Sequence, residues 1–433
     1  GNSEGAAMEG AIGVNQLTAF KAQNLSSNAR LALICFVSAS VGLPIAWISL
    51  AKVLIIFVGL GSLAVGLFYG RADTGPSRIQ STKWILVALL AFAASLVWTS
   101  VDAEIALLSL VKHSKLIVIP LLVLLISTER EARAAILAFV AAQSFVLISS
   151  LLLAIGMPLP WVTDPIGKYV VFSSYLDQSI MLSIAVAVIW HFRTEKLWPI
   201  WLAAVLSLGC LADALVLLDG RTGYAVAITM VSLAAMWAMP KRLGLLAGVV
   251  TPIILMGGLL WGSSNIQQRI SLIVKESKGF SQQVETATSS GWRLNAWQRS
   301  AQAIGESPWQ GYGVGSWALT VKRLQGDDAV QVFGEGNASN PHQEYLLWGV
   351  ELGVLGLLLF GTILLSLAAE GRRFKPPIRK ALWSVIVALA VACLFNSALY
   401  DDLIGDFFCV ALGILLALGH RNADNHAKAG SSW

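Results

Sequence analysis

Imidazole is the one side chain whose ordinary pKa, about 6.5, lets it take a proton near neutral pH. The chain has five histidines. His113, His191, His420 and His426 fall at the ends of apolar runs or in the tail and read as incidental. His342 differs, because it follows Asn340-Pro341 in a polar stretch and stands just ahead of a long apolar run. On residue type alone two readings are open for it: a general base at a membrane surface, or an interfacial histidine with no role. Arginines supply the complementary chemistry. Arg221 follows Asp219-Gly220 and precedes Thr222-Gly223-Tyr224, while Arg293 and Arg299 lie on an amphipathic stretch from Trp292 to Ile304. A guanidinium binds phosphate oxygens bidentately and stays charged when desolvated. Arginines gathered at a membrane surface could therefore hold a lipid-linked pyrophosphate. Lipid headgroup contacts, or a salt bridge from Arg221 to Asp219, are the plainer alternatives. Arg269 and Lys275 read first as headgroup contacts, with Arg269 kept among the substrate-binding candidates.

Other patterns carry less. Gly311, Gly313 and Gly315 mimic a phosphate loop, but no strand precedes them and no Lys-Ser or Lys-Thr follows, so a tight turn is the better reading. The pairs Asp327-Asp328 and Asp401-Asp402 could ligate a divalent cation. The first reads as a solvated turn and the second as a group that orients a basic residue. No zinc-type spacing and no Ser-His-Asp arrangement stands out, so neither a metal nor a cofactor is expected. The four cysteines, Cys35, Cys210, Cys393 and Cys409, all sit in apolar runs and read as packing residues.

The elements that must position these residues are set by composition. Of 433 residues 56% are hydrophobic and only 13% are charged, against about 25% charged in soluble domains. The mean hydropathy is +0.70. Apolar runs of roughly 20 residues, each able to cross ~30 Å of hydrocarbon as a helix, recur along the chain. The fold class is therefore an all-α polytopic membrane protein. About twelve spans are expected, near 29–47, 49–69, 83–100, 114–127, 132–155, 176–192, 198–217, 223–239, 243–262, 344–368, 379–399 and 403–419. The fourth is short and contains Pro120; the stretch from Glu104 to Lys115 before it either lies in the interface or extends it. The first span is kept and not cleaved as a signal peptide.

Lys and Arg set the orientation. With the N-terminus cytoplasmic, the inside connections hold Arg71, Arg78, Lys83, Arg130, Arg133, Arg193, Lys196, Lys241, Arg242, the run from Arg372 to Lys380, Arg421 and Lys428. The short outside connections hold only Lys52, Lys112, Lys115, Lys168 and Arg221. The chain thus divides into a cytoplasmic segment 1–28, spans one to nine over 29–262, one long outside loop 263–343, spans ten to twelve over 344–419, and a cytoplasmic tail 420–433. A connection as long as 263–343 is usually functional. The net charge of +5 is scattered between spans and does not indicate nucleic-acid binding. No internal repeat of the transporter kind is evident.

The loop resembles the O-antigen ligase/O-antigen polymerase superfamily of bacterial membrane glycosyltransferases. The matching pieces are Ser289-Ser290-Gly291-Trp292-Arg293, Trp297, Ile304, Pro308 and Gly311-Tyr312-Gly313-Val314-Gly315. They continue with Asn340-Pro341-His342-Gln343-Glu344-Tyr345-Leu346, then Glu351-Leu352-Gly353-Val354-Leu355-Gly356, with Arg221-Thr222-Gly223 as a remote third element. Gln343 stands where many members carry Asn. The resemblance implies transfer of a glycan from undecaprenyl pyrophosphate to an acceptor at the periplasmic face of the inner membrane. For a ligase the acceptor is the lipid A–core oligosaccharide. His342 is then expected as the catalytic base, with Arg221, Arg293, Arg269 and Gln343 on substrate, by a metal-independent inverting displacement and among membrane lipids. An O-antigen polymerase or a protein O-oligosaccharyltransferase is the alternative within the superfamily. A polyprenyl-linked sugar transporter is the alternative outside it, with Asp213 as its candidate ionisable residue inside a span.

Overall fold

Lipid offers no partner to backbone N–H and C=O groups, so a chain of apolar runs must satisfy them internally as helices. A computed structural model describes residues 27–68, 79–162, 167–218, 220–262, 267, 271, 289–325 and 340–430, and among these there is no strand. In chain order the helices are α1 (Ser27–Ser40), α2 (Ile45–Phe68), α3 (Gln80–Ala94), α4 (Ala103–Ser114), α5 (Val118–Leu125), α6 (Glu129–Ala154), α7 (Tyr175–His191) and α8 (Ile200–Ala212). They continue with α9 (Arg221–Ala238), α10 (Lys241–Gly262), α11 (Ser289–Glu306), α12 (Trp317–Gln325), α13 (Glu344–Gly371), α14 (Pro376–Phe395) and α15 (Asp402–Gly430).

Ten helical segments among the described residues are long and apolar enough to cross a membrane. The two further regions expected to span are also helical but fall short. The first expected span is broken before Pro44, leaving α1 with 14 residues, about 21 Å at 1.5 Å per residue. Helix α9 has 18 residues, but its opening Arg221-Thr222-Gly223-Tyr224 lowers its hydropathy. The stretch from Glu104 to Lys115 extends the fourth span: a 3₁₀ turn, Lys115–Ile117, joins α4 to α5 as one crossing of 23 residues. Pro120 falls in the first turn of α5, where a missing N–H costs no helical bond.

Helix α15 is the axis of the bundle. Its crossing segment is 94% buried, whereas that of α10 is 6% buried. A helix apolar on every face belongs inside, and α15 packs on α5, α6 and α14. Gly413 lets it approach α5 closely, since a Cβ there would meet Leu122 Cδ1 at 2.7 Å. Two cations of the bundle are paired with buried carboxylates, which offsets the cost of desolvating them. Lys52 Nζ meets Asp406 Oδ2 at 2.7 Å, and Arg30 Nη2 meets Glu131 Oε1 at 2.7 Å. Glu131 also closes a capping box with Thr128 at the start of α6.

Helix α13 is broken at Gly353, whose φ of 68° and ψ of −157° leave the helical region. The break frees carbonyls that the glycine-rich turn then satisfies. Tyr312 N–H donates to Val350 O and Gly313 N–H to Glu351 O, both at 2.9 Å, while Val354 N–H donates to Pro308 O at 2.7 Å. Gly311, Gly313 and Gly315 all have positive φ, and a Cβ at Gly311 would stand 2.6 Å from the Glu351 carbonyl carbon. The turn is a dock that seats α11 against α13.

Candidate functional site

Four pieces of chain meet near the start of α13. The first is the N-terminus of α9. Gly220 and Gly223 lie against Ser179 on α7 so closely that any Cβ would overlap its hydroxyl, and this seats Arg221 at the first position of the helix. The second is α11, which carries Arg293 and Trp292 on its first turn. Ser300 Oγ on α11 accepts a 2.8 Å hydrogen bond from the indole of Trp317 on α12, so the two loop helices are tied. The third is the 340–343 segment and the fourth is the 396–401 connection between α14 and α15.

His342 is held in a left-handed backbone conformation, φ 49°, which a non-glycine residue adopts only when its surroundings impose it. Its N–H donates to Asn340 Oδ1 at 2.9 Å, and Trp297 Nε1 donates to Pro341 O at 3.0 Å. The ring meets Trp292 edge to face with centroids 5.3 Å apart. Its Nδ1 lies 3.1 Å from Asn396 Oδ1. Asn396 Oδ1 can only accept, so Nδ1 carries the proton and Nε2 carries the lone pair. Burial, and then the charge of Arg293, hold the imidazole below its usual pKa against the opposing bond from Asn396. The neutral form is therefore the one present at neutral pH.

Arg221 and Arg293 are brought together. Burial lowers the pKa of Arg293 and the positive charge of Arg221 lowers it further, while Tyr175 and Asp401 oppose this. A guanidinium can bind phosphate oxygens through two N–H groups at once and keeps its charge when desolvated. Asp401 is pushed up to about 7 by burial and by Asp177 and Glu344, against Lys115 and Lys112. Asn340 Nδ2 donates to Asp401 Oδ1 at 3.5 Å. Among the described residues no three His, Cys, Asp or Glu side chains converge as ligands of an ion would.

Gln343 Oε1 caps α13 by accepting from Leu346 N–H at 2.6 Å. Arg269, Lys275, Asp219 and the Asp327-Asp328 pair lie outside the described residues. His113, read from sequence as incidental, is buried and bonded to Glu351 at 2.7 Å. His420 pairs with Glu370 at 3.1 Å. Asp213 lies in a π-helical turn and is satisfied by Ser150 Oγ at 2.6 Å and Gln178 Nε2 at 3.4 Å. Asn396, Ser397 and Tyr175 were missed in the sequence, since each stands in an apolar or loop segment with no motif around it.

Residues 202–361 match the model of the O-antigen ligase family. No curated protein matches the chain. Arg221, Arg293 and His342 fall within the matched segment, whereas Tyr175, Asn396 and Asp401 fall outside it.

Proposed function

We propose that this chain, a multi-pass membrane protein with an O-antigen ligase family domain, transfers a glycan from undecaprenyl pyrophosphate to the lipid A–core oligosaccharide. What supports the reading is that the charge of Arg221 acts on Arg293, and that of Arg293 on a neutral His342, at one end of the bundle. Transfer needs a deprotonated acceptor hydroxyl and a stabilised leaving group. The two guanidiniums take the pyrophosphate. His342 Nε2 removes the acceptor proton as the acceptor oxygen bonds to the anomeric carbon, and the bond from that carbon to the pyrophosphate oxygen breaks with its electron pair. A single displacement of this kind inverts the anomeric centre. A lipid pyrophosphate already leaves well, so arginine charge replaces the metal ion that other transferases use. The Lys and Arg bias of the connections supports a periplasmic site, a catalytic loop over 263–343 and cytoplasmic termini, in an inner-membrane protein.

Polymerase and protein O-oligosaccharyltransferase activities use the same donor and the same site chemistry. The lipopolysaccharide gel of a deletion strain separates them. Loss of capped core with accumulation of lipid-linked polymer is the expected result. Core bearing a single repeat would instead mean a polymerase, and unaltered lipopolysaccharide with an underglycosylated protein would mean the third activity. A transporter would need an ionisable group free to change partners, whereas Asp213 is held by hydrogen bonds to Ser150 Oγ and Gln178 Nε2.

A further inference from the structure

We propose that Asn396 is a positioning residue for His342, fixing the imidazole as the Nδ1–H tautomer so that Nε2 holds the lone pair that takes the acceptor proton. The inference rests on the reading of His342 as the general base. Asn396 ends α14, where its N–H donates to Ala392 O at 2.9 Å, and it is 1% exposed. The next residue pins the same two strands of chain a second time: Ser397 Oγ accepts from Gln343 N–H at 3.1 Å. Two adjacent ties set the register between 396–397 and 342–343, which leaves Asn396 Oδ1 at 3.1 Å from His342 Nδ1.

The other end of the same amide shows what the residue is kept for. Asn396 Nδ2 is buried and has no hydrogen-bond partner among the described residues. A buried, unpaired donor is destabilising, and such groups call for a reason beyond packing. An aliphatic residue would avoid that cost. The amide also has a chemical merit over a carboxylate at this point. Aspartate would fix the same tautomer but would stabilise the imidazolium, which cannot act as a base. Among the described residues the further charged and titratable groups are Arg293 on α11, Arg221 on α9 and Tyr175 on α7, which act on Arg293, and Asp401, bonded to Asn340. Arg293 disfavours the imidazolium, and a neutral amide preserves that effect.

The test compares the parent, Asn396→Asp, Asn396→Leu and His342→Ala, purified in nanodiscs. Transfer is followed across the range in which imidazole titrates. In parallel, carbethoxylation of His342 by diethyl pyrocarbonate is read by mass spectrometry, which reports neutral imidazole without turnover. Asn396→Asp is expected to raise both the acid limb of kcat/KM and the midpoint of modification by about 1 pH unit or more. Asn396→Leu is expected to fold at least as well as the parent and to lose kcat with the donor KM unchanged. That loss is no greater than the ~10²–10⁴-fold a general base contributes. A parental modification midpoint in Asn396→Asp overturns the proposal, as does a parental kcat in Asn396→Leu. If His342→Ala transfers normally, the base reading itself falls and takes this one with it. That outcome is distinct, because the Asn396→Asp midpoint would still have moved.

Discussion

Glu351 touches no substrate in this account, yet replacing it by alanine is expected to disable the enzyme through the dock that seats α11. Its Oε2 lies 2.7 Å from His113 Nε2, and both side chains are nearly inaccessible, at 1% and 2% exposure. Its Oε1 accepts from Gly315 N–H at 2.8 Å and from Ser109 Oγ at 3.3 Å. Phe92 stacks on the far face of His113 with centroids 3.8 Å apart, so the imidazole has nowhere to turn. Removing one partner of a buried hydrogen bond costs about 1–3 kcal/mol for each group left unsatisfied. The Gly315 N–H, left without a partner, accounts for roughly 1–3 kcal/mol of such a loss. Glu351→Ala should therefore lower the denaturation midpoint in micelles at an unchanged slope. It should also raise the donor KM, because the glycine turn no longer fixes the α11 helix that carries Arg293. Glu351→Gln keeps the acceptor for Gly315 and should cost much less. The double variant with His113→Ala should fall short of additivity, since both changes break the same bond. A Glu351→Ala protein within about 1 kcal/mol of the parent, additive with His113→Ala, would refute the reasoning.

Arg221→Lys and Arg293→Lys keep the charge but lose the two-pronged donor, so neither should restore the transfer that the alanine variants lose, and a lysine variant with parental KM would remove the clamp. Transfer by the purified protein should survive excess EDTA; an activity lost to EDTA and restored by magnesium or manganese would show that an ion shares the pyrophosphate. On a cysteine-free background, Ser289→Cys should react with an impermeant maleimide in intact spheroplasts and Ser432→Cys should not. The reverse pattern would overturn the orientation.

The residues proposed to react stand out in the sequence because each sits in a short run of unusual composition. His342 follows Asn-Pro ahead of an apolar run, and Arg221 stands at an end of a span where a cation runs against the charge bias. What supports them was not legible. His113 finds Glu351 across 238 positions, and His342 finds Asn396 across 54. No local pattern encodes a partner at such separations. The break at Gly353 was hidden for another reason. Hydrophobic periodicity reads 344–368 as one span, and both halves of α13 are apolar, so only the docking of the 311–315 turn reveals why the helix opens there. Likewise the run 29–47 reads as one span until the break ahead of Pro44 divides it.

The central claim is that a neutral His342 takes the proton from the acceptor while two arginines hold the departing pyrophosphate. Single-turnover transfer by purified His342→Ala, with donor binding measured on the same sample, tests it most directly. The account predicts parental donor affinity and a rate of transfer lower by ~10²–10⁴-fold, the ordinary contribution of a general base. Parental affinity with a near-parental rate would contradict it.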